Sequence, residues 1–331
     1  MSFSSVRTFM NEIIDYAGFF PPANLTFRES FENYIDYCTF KNKWMLGKFV
    51  SPFSRLDELT GLVSENPLVT KSNPLHIAVM GSLSQDVLHF EKNFPRDIQD
   101  MSKFLRNNAG YVTIDSYEVK LPLDLINFRE TSDFLDTLDL IQRDMNKTIS
   151  KDTRIFYEIE LKSKNWMDNV DSIVAGISIC NQFYIEEEKS PKIGFKLRTG
   201  GITPDMIPTA FQVAYVIKKC IENKIPFKAT AGLHLAIKHF DEKIKSKVYG
   251  FLNIFGAGII YYYYQMPPED LTMIIEDEHI SDFSFTADSF AYQDLKVSSE
   301  EVKFVRENFM LSMGSCSFDE PLQELIDLKL L

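Results

Sequence analysis

Short apolar or β-branched segments alternate with longer amphipathic segments along this chain. Residues 203–224 show the amphipathic type most clearly: Thr203 can cap a helix, Pro204 suits its first turn, and apolar side chains then recur every three or four residues. Such alternation is typical of β/α units, in which a helix returns the chain to a parallel strand. We predict eight strands, at residues 16–20, 44–50, 75–81, 111–116, 154–161, 193–198, 226–231 and 250–256.

Eight successive units favour an α/β fold of the (β/α)8 or TIM-barrel type over an open doubly wound sheet. No linker rich in Pro or Gly divides the sequence in two. The barrel is therefore expected to span residues 1–278. Residues 279–331 do not fit a ninth unit, and we expect them to form a C-terminal extension packed on the barrel, because about 50 residues rarely support a core of their own.

Composition narrows the classes of function. The 331 residues are 45% hydrophobic, and 35 basic against 47 acidic side chains give a formal charge of −12. So acidic a chain is not expected to bind nucleic acid or an anionic membrane in general. The N-terminal residues show helical rather than signal-peptide spacing, and no apolar run approaches the ~18 residues of a membrane span. We therefore expect a cytoplasmic protein.

The cysteines give no sign of a metal site. Cys38, Cys180, Cys220 and Cys316 are far apart in the sequence and lack the spacing of zinc ligands, so we expect reduced thiols. Cys316 has no base near it in the sequence that would make it a nucleophile. We expect neither a metal nor another cofactor, and the sequence leaves the oligomeric state open, a homo-oligomer included.

Polar residues occupy alternate positions on several predicted strands. Alternate side chains of a barrel strand point inward, and the strand ends that lead into the βα loops form the active site. Because Ile193, Phe195 and Leu197 would face the helices, Lys196 and Arg198 are expected to point inward near the barrel mouth. The same rule predicts further inward-facing polar side chains: His76, Asp115, Glu158, Glu160, Lys228, Thr230 and Asn253.

Such positions have two interpretations. Barrel interiors also contain structural ion pairs, and Glu158 or Glu160 bound to Lys196 or Arg198 would suffice for that role. Two lysines and an arginine on neighbouring strands nevertheless repel one another, which makes a purely structural cluster costly. The joint pattern favours an enzyme.

KLRTGG, residues 196–201, and KATAGLH, residues 228–234, resemble the paired lysine strands of the deoxyribose-phosphate aldolases, which are class I aldolase barrels. The resemblance covers residues 193–258, where IFGAG, residues 254–258, is similar to the turn that holds the substrate phosphate. It implies that Lys196, in a K-x-x-T-G segment, is the Schiff-base lysine, and that Lys228 lowers the pKa of Lys196. Thr199 and Gly200 complete the first segment, and Gly232 matches the second loosely.

The chain departs from the aldolase pattern at Leu233 and His234, where those enzymes have an arginine, so the substrate is left open. Across its whole length the chain also resembles a family of bacterial proteins of unassigned function. The segments that carry this second resemblance are DYAGFFPPA, KLRTGG, FKATAGLH, GFLN and GSCSFDEP.

The leading hypothesis is a Schiff-base aldolase or lyase acting on a small anionic carbonyl or phosphate-bearing compound. A neutral lysine amine attacks the carbonyl, and an acid/base group moves the protons. We expect Glu160 to be that group, with Glu158 or Asp115 as substitutes, and Arg198 to bind the anionic part of the substrate. The other expected substrate-binding residues are Thr199, Gly200, Gly201, Thr230, His234 and Asn253.

Two alternatives stay open. The first is a barrel enzyme that uses the lysines and Arg198 only as a cradle for phosphate or carboxylate, with Glu160 as general base. The second is a non-catalytic ligand-binding or assembly protein on an enzyme scaffold, because a fold does not establish a function.

Overall fold

The computed structural model describes residues 4–127, 131–150, 152–186 and 193–331. Its central element is a closed barrel of eight strands. The barrel strands are β1 (Ile14–Tyr16), β2 (Leu46–Pro52), β3 (Leu75–Met80), β4 (Val112–Lys120), β5 (Arg154–Glu158), β6 (Ile193–Arg198), β7 (Phe227–Thr230) and β13 (Met310–Ser315). They follow the order β1-β13-β7-β6-β5-β4-β3-β2 and run parallel, which confirms the predicted (β/α)8 fold class.

Helices and two small antiparallel sheets make up most of the remaining regular structure. The helices are α1 (Ser4–Met10), α2 (Phe27–Tyr37), α3 (Leu56–Glu65), α4 (Val87–Asn107), α5 (Leu123–Asn127), α6 (Thr131–Thr148), α7 (Trp166–Glu186), α8 (Ala210–Glu222), α9 (Ala257–Tyr264), α10 (Pro268–Glu276), α11 (Ser299–Asn308) and α12 (Asp319–Asp327). The small sheets comprise β8 (His239–Asp241) with β9 (Ser246–Val248), and β10 (Phe283–Phe285), β11 (Ser289–Tyr292) and β12 (Leu295–Ser298). None of the helices in the described ranges has both the length and the apolar character needed to cross a bilayer.

Helix α8 begins later than the sequence pattern predicts. Thr203 and Pro204 introduce only a short 3-10 turn, and α8 starts at Ala210 behind a capping box. In that box the Thr209 hydroxyl accepts from the Gln212 N–H while the Gln212 side chain accepts from the Thr209 N–H. Two backbone donors at the helix start are satisfied in this way, which fixes where α8 begins.

The chain forms two compact units. One comprises Met1–Leu25, Asp36–Gly47 and Leu197–Leu331, and it holds β1, β7 and β13. The other comprises Thr26–Ile35 and Lys48–Lys196, and it holds β3, β4 and β5 with most of β2 and β6. Fully buried aromatic side chains fill the first unit at Phe9, Phe227, Phe251 and Phe255, and the second at Phe31, Phe49, Tyr117, Tyr157 and Phe195.

Six of the predicted strands lie where the sequence places them, within a few residues at each end, and β6 matches at both ends. The first strand lies at Ile14–Tyr16 instead of 16–20, because residues 18–23 form turns. The strand predicted at 250–256 is wrong: residues 252–256 form a wide helical turn that leads into α9. A continuous apolar run buried on all sides gives the same signal in a helix and in a strand.

The eighth barrel strand is β13, within the segment that was predicted to pack on an already complete barrel. Residues 1–278 therefore do not contain the whole barrel. The sequence of β13, MLSMGS, contains serine and glycine and has no β-branched aliphatic residue, so its strand propensity is weak. Its parallel pairing with β1 and β7, and not its own propensity, makes it a strand.

Candidate active site

A buried lysine lies between two carboxylates in the second compact unit. The Nζ of Lys196 is 3.0 Å from Oε2 of Glu118 and 3.1 Å from Oε2 of Glu158. All three side chains are at most 8% exposed. Strand register explains the contacts, because Glu158 on β5 is the direct partner of Lys196 on β6, and Glu118 lies on β4, the next strand.

This arrangement supplies the proton chemistry that an amine nucleophile needs. Both carboxylates stabilise the ammonium form of Lys196, and each of them also disfavours ionisation of the other. A carboxylate at this distance can accept the Lys196 proton and return it later, and that transfer would leave a neutral amine beside a carboxylic acid. Nucleophilic attack by Lys196 would require this transfer first.

Glu118 is the site residue that the sequence interpretation missed. The predicted strand ended at residue 116, whereas β4 continues to Lys120. The sequence does contain a signal for Glu118. Tyr117 and Val119, both buried and largely apolar, stand on either side of it, and this alternation indicates a strand that continues past residue 116.

A register shift in β4 falls at one predicted site residue, Asp115. Ile114 pairs with Ile77 but Ser116 pairs with Ala78, so Asp115 is an extra residue at a bulge. Its carboxylate lies 2.9 Å from Nδ1 of His76, whose side chain is 52% exposed. His76 and Asp115 therefore form a partly exposed pair with each other, whereas the carboxylates that contact Lys196 are those of Glu118 and Glu158.

Glu160, the predicted acid/base group, lies beyond the end of β5. Its carboxylate is 3.2 Å from Nζ of Lys120, and both side chains are about 40% exposed, at 43% and 40%. A half-exposed ion pair of this kind contributes about 1 kcal/mol or less. Among the predicted glutamates, Glu158 and not Glu160 contacts Lys196.

The second predicted lysine, Lys228, is buried in the first compact unit. Its Nζ is 2.5 Å from Oδ2 of Asp15, which also accepts a hydrogen bond of 2.8 Å from the Ser312 hydroxyl. The three residues lie on the adjacent strands β7, β1 and β13. A Cβ atom on Gly47 would lie 2.4 Å from Oδ1 of Asp15, so this glycine leaves the room that the carboxylate occupies. The carboxylate stabilises the ammonium form of Lys228.

Arg306, on α11, connects the segment before β1, the strand that carries Asp15, to β13. Its guanidinium donates to the carbonyls of Phe9 at 2.7 Å, Asn11 at 3.1 Å and Leu311 at 2.5 Å. Burial lowers the pKa of Arg306 to about 9, against the opposing effect of Asp15 and other acidic neighbours. These contacts tie α1 and the segment before β1 to β13.

The K-x-x-T-G segment joins the ends of β6 and β7. The Thr199 hydroxyl donates to the Ala231 carbonyl at 2.7 Å, and the Thr199 N–H donates to the Thr230 carbonyl at 2.8 Å. A Cβ on Gly200 would lie 3.0 Å from the Ala231 oxygen, and one on Gly201 would overlap a neighbouring methionine. Close approach of the Ala231 backbone is thus a sufficient reason for Gly200, and packing of a side chain is one for Gly201. Thr230 and Arg198 are half-buried at the strand ends.

Asn253 has a structural explanation as well. It lies on the helical turn before α9 and not on a strand, and its amide donates to the carbonyls of Ile274 and Asp277, both at 2.9 Å. Its Oδ1 accepts from the Gly250 N–H at 3.2 Å. Residues 254–258 are fully buried and helical, so they do not form the phosphate-binding turn that the aldolase resemblance implies.

His234 contacts two residues near the C-terminus. Its Nε2 is 3.7 Å from Sγ of Cys316, and its Nδ1 is 2.8 Å from Oε2 of Glu320. None of the four cysteines forms a disulfide. The sequence interpretation found no base for Cys316 because the histidine lies 82 residues earlier in the chain.

Among the described residues, one group has the spacing of metal ligands: Asp277, His279 and Asp282, whose ligand atoms lie within 4.8 Å of one another. Asp277 already accepts hydrogen bonds from the Tyr292 hydroxyl and the His279 N–H. These contacts explain the group without an ion.

No known family model matches the chain, and no curated protein matches it.

Proposed function

We propose that the protein is a class I aldolase or carbon–carbon lyase that forms a Schiff base through Lys196 with a small anionic carbonyl compound. The observation that carries the proposal is the burial of the Lys196 amine between Glu118 and Glu158, at 3.0 and 3.1 Å. The second carboxylate adds a proton acceptor within reach of the amine.

In the proposed reaction one carboxylate first takes a proton from the Lys196 ammonium. The neutral amine attacks the substrate carbonyl, and the same carboxyl group returns the proton as water leaves, which gives an iminium ion. A carboxylate then removes the proton of the β-hydroxyl group, the carbon–carbon bond breaks, and its electrons move into the iminium. An aldehyde leaves, the carboxylic acid gives its proton to the enamine carbon, and water hydrolyses the resulting iminium to release the second product and regenerate the lysine.

The remaining residues have supporting roles in this proposal. Arg198, half-buried at the end of β6, binds the anionic group of the substrate. Lys228 serves as the second lysine, in the role that the aldolase resemblance implies. The anion-cradle alternative stays open, and reductive trapping separates the two because a cradle alone would give no covalent adduct.

Reductive trapping tests the proposal. Wild-type protein is incubated with a panel of small aldehydes and keto acids, reduced with borohydride, and analysed by intact and peptide mass spectrometry. We expect one adduct, on Lys196. Lys196→Met should abolish it, whereas Lys120→Met, which removes a half-exposed lysine with its own glutamate partner, should retain it.

The acid/base assignment has its own control. Glu118→Gln or Glu158→Gln should slow imine formation by about 100-fold or more, and Glu160→Gln should leave its rate near that of the wild type. The absence of an adduct across the panel would overturn the proposal, and an adduct on Lys228 alone would exchange the roles of the two lysines.

A further inference from the structure

Three chemically matched side chains meet where the last barrel strand ends. Cys316 is the first residue after β13, His234 lies in the loop after β7, and Glu320 lies in the first turn of α12. Because β7 and β13 are parallel neighbours, with Thr230 opposite Gly314, the segments that follow them leave the barrel side by side. The carboxyl ends of barrel strands are where enzymes of this fold carry reactive groups.

The imidazole of His234 lies between a thiol and a carboxylate. Nε2 is 3.7 Å from Sγ of Cys316, and Nδ1, on the other side of the ring, is 2.8 Å from Oε2 of Glu320. The Nδ1 contact is close enough for an ion pair but is not aligned as a linear hydrogen bond. A nucleophile, a base and an acid that orients the base lie in this order in cysteine-dependent enzymes.

Electrostatics favours the charged pair. Burial alone would lower the pKa of His234, but its contacts with Cys316 and with the Glu320 carboxylate outweigh burial and raise the pKa to about 10. The contact with His234 in turn lowers the pKa of Glu320, with Lys243 as a further positive neighbour. An imidazolium next to a sulfur stabilises the thiolate, which is the nucleophilic form.

Access distinguishes Cys316 from two of the other cysteines. Cys316 is half-buried, whereas Cys180 and Cys220 are buried. Burial raises the pKa of the Cys180 thiol to about 11 and raises that of Cys220 as well. Cys38 is half-buried like Cys316, so its reaction rate serves as an internal reference for that of Cys316.

We infer that Cys316 is a nucleophilic cysteine, activated by His234 and Glu320, that binds a small aldehyde as a thiohemiacetal. The sulfur forms a bond to the carbonyl carbon, the π bond of the carbonyl breaks, and its electron pair moves to the oxygen. The imidazolium gives its proton to that oxygen. An aldehyde fits because this addition requires only a sulfur nucleophile and a proton donor beside it, and Cys316 and His234 supply these groups.

This site shares no residue with the Lys196 cluster or with the Lys228–Asp15 pair. Cys316 lies four residues beyond Ser312, which is the strand partner of Lys228, and four strand residues span roughly 13 Å. A small substrate held at the level of Lys228 would not reach the sulfur. The inference therefore does not depend on a Schiff base at Lys196.

Alkylation kinetics test the nucleophile. Wild-type protein is treated with iodoacetamide at pH 6, and the rate at each cysteine is followed by peptide mass mapping. Because Cys316 has the His234 imidazole 3.7 Å from its sulfur, we expect it to react at least 10-fold faster than Cys38. His234→Gln should bring Cys316 down to the rate of Cys38, and Glu320→Gln should have a smaller effect in the same direction.

The rate at Cys38 shows in each sample whether a variant has stayed folded. Equal rates at Cys316 and Cys38 in the wild type would overturn the inference, as would an unchanged Cys316 rate in a folded His234→Gln variant.

A second measurement tests the ligand. In the Lys196→Met/Glu118→Gln/Glu158→Gln variant, which removes the proposed Schiff-base amine without leaving its carboxylates charged and buried, propanal should slow alkylation of Cys316 but not of Cys38, and removal of propanal should restore the rate. Rapid alkylation that propanal does not slow would overturn the assignment of an aldehyde ligand. Because Lys196 is absent, this result is independent of the trapping experiment.

Discussion

Removing the positive charge of Lys196 should destabilise the protein far more than removing all three charges of its cluster. The Nζ lies 3.0 and 3.1 Å from two carboxylates, and at an effective dielectric constant of about 20 each contact supplies about 5 kcal/mol of attraction. Loss of hydration around three buried ions offsets most of that attraction. Lys196→Met leaves two buried carboxylates without their cation, so we expect the free energy of unfolding to fall by about 3–5 kcal/mol.

The triple variant Lys196→Met/Glu118→Gln/Glu158→Gln should recover at least half of that loss, because no uncompensated charge stays buried. Urea unfolding followed by near-ultraviolet circular dichroism measures the free energies. Lys120→Met is the control, and it should cost about 1 kcal/mol or less because its partner Glu160 is half-exposed. If the triple variant is as unstable as Lys196→Met, the three charges together contribute substantial stability. That result would refute the idea that the cluster serves chemistry and adds little stability.

Three further predictions concern the first compact unit. Arg306→Met should lower the free energy of unfolding by about 3–5 kcal/mol, because three backbone carbonyls lose a charged donor. The control Arg96→Met, at an exposed position, should cost under about 0.5 kcal/mol. Similar losses for the two variants in urea unfolding would contradict the role of Arg306. Gly47→Ala should displace the Asp15 carboxylate and lower thermal stability by several degrees, and an unchanged melting temperature would show that the strand shifts without strain. Burial lowers the pKa of His234, but its contacts with Cys316 and Glu320 raise it to about 10 overall, so its stabilising effect is complete below about pH 6.5 and is lost as pH rises through 10. His234→Gln should therefore cost more stability at pH 6 than at pH 10. Equal costs at the two pH values would contradict the charged pair.

The sequence by itself determined the fold class and the burial of the two lysines. Strands 193–198 and 226–231 alternate apolar and cationic positions, and in a strand such alternation decides which residues share a face. Lys196 and Lys228 are buried on β6 and β7 as this pattern predicts. Helical and strand periods are local properties, so neighbouring residues are sufficient to define them.

Only the tertiary structure decided which carboxylates the lysines contact. Glu118 contacts Lys196 because β4 continues past a bulge at Asp115, and Glu160 does not because β5 ends before it. Asp15 reaches Lys228 from a strand 213 residues away in the chain. Strand register, bulges and strand ends result from pairing with neighbours, which no local pattern encodes.

The eighth strand and the Cys316 cluster show the same limit. MLSMGS becomes a strand because β1 and β7 leave a place for it in the barrel, and the apolar run at 250–256 is helical although its hydrophobicity also suits a strand. The thiol, imidazole and carboxylate come from separate loops that meet only when β7 and β13 pair. The sequence fixes which side chains are available at each position, whereas closure of the barrel decides which of them touch.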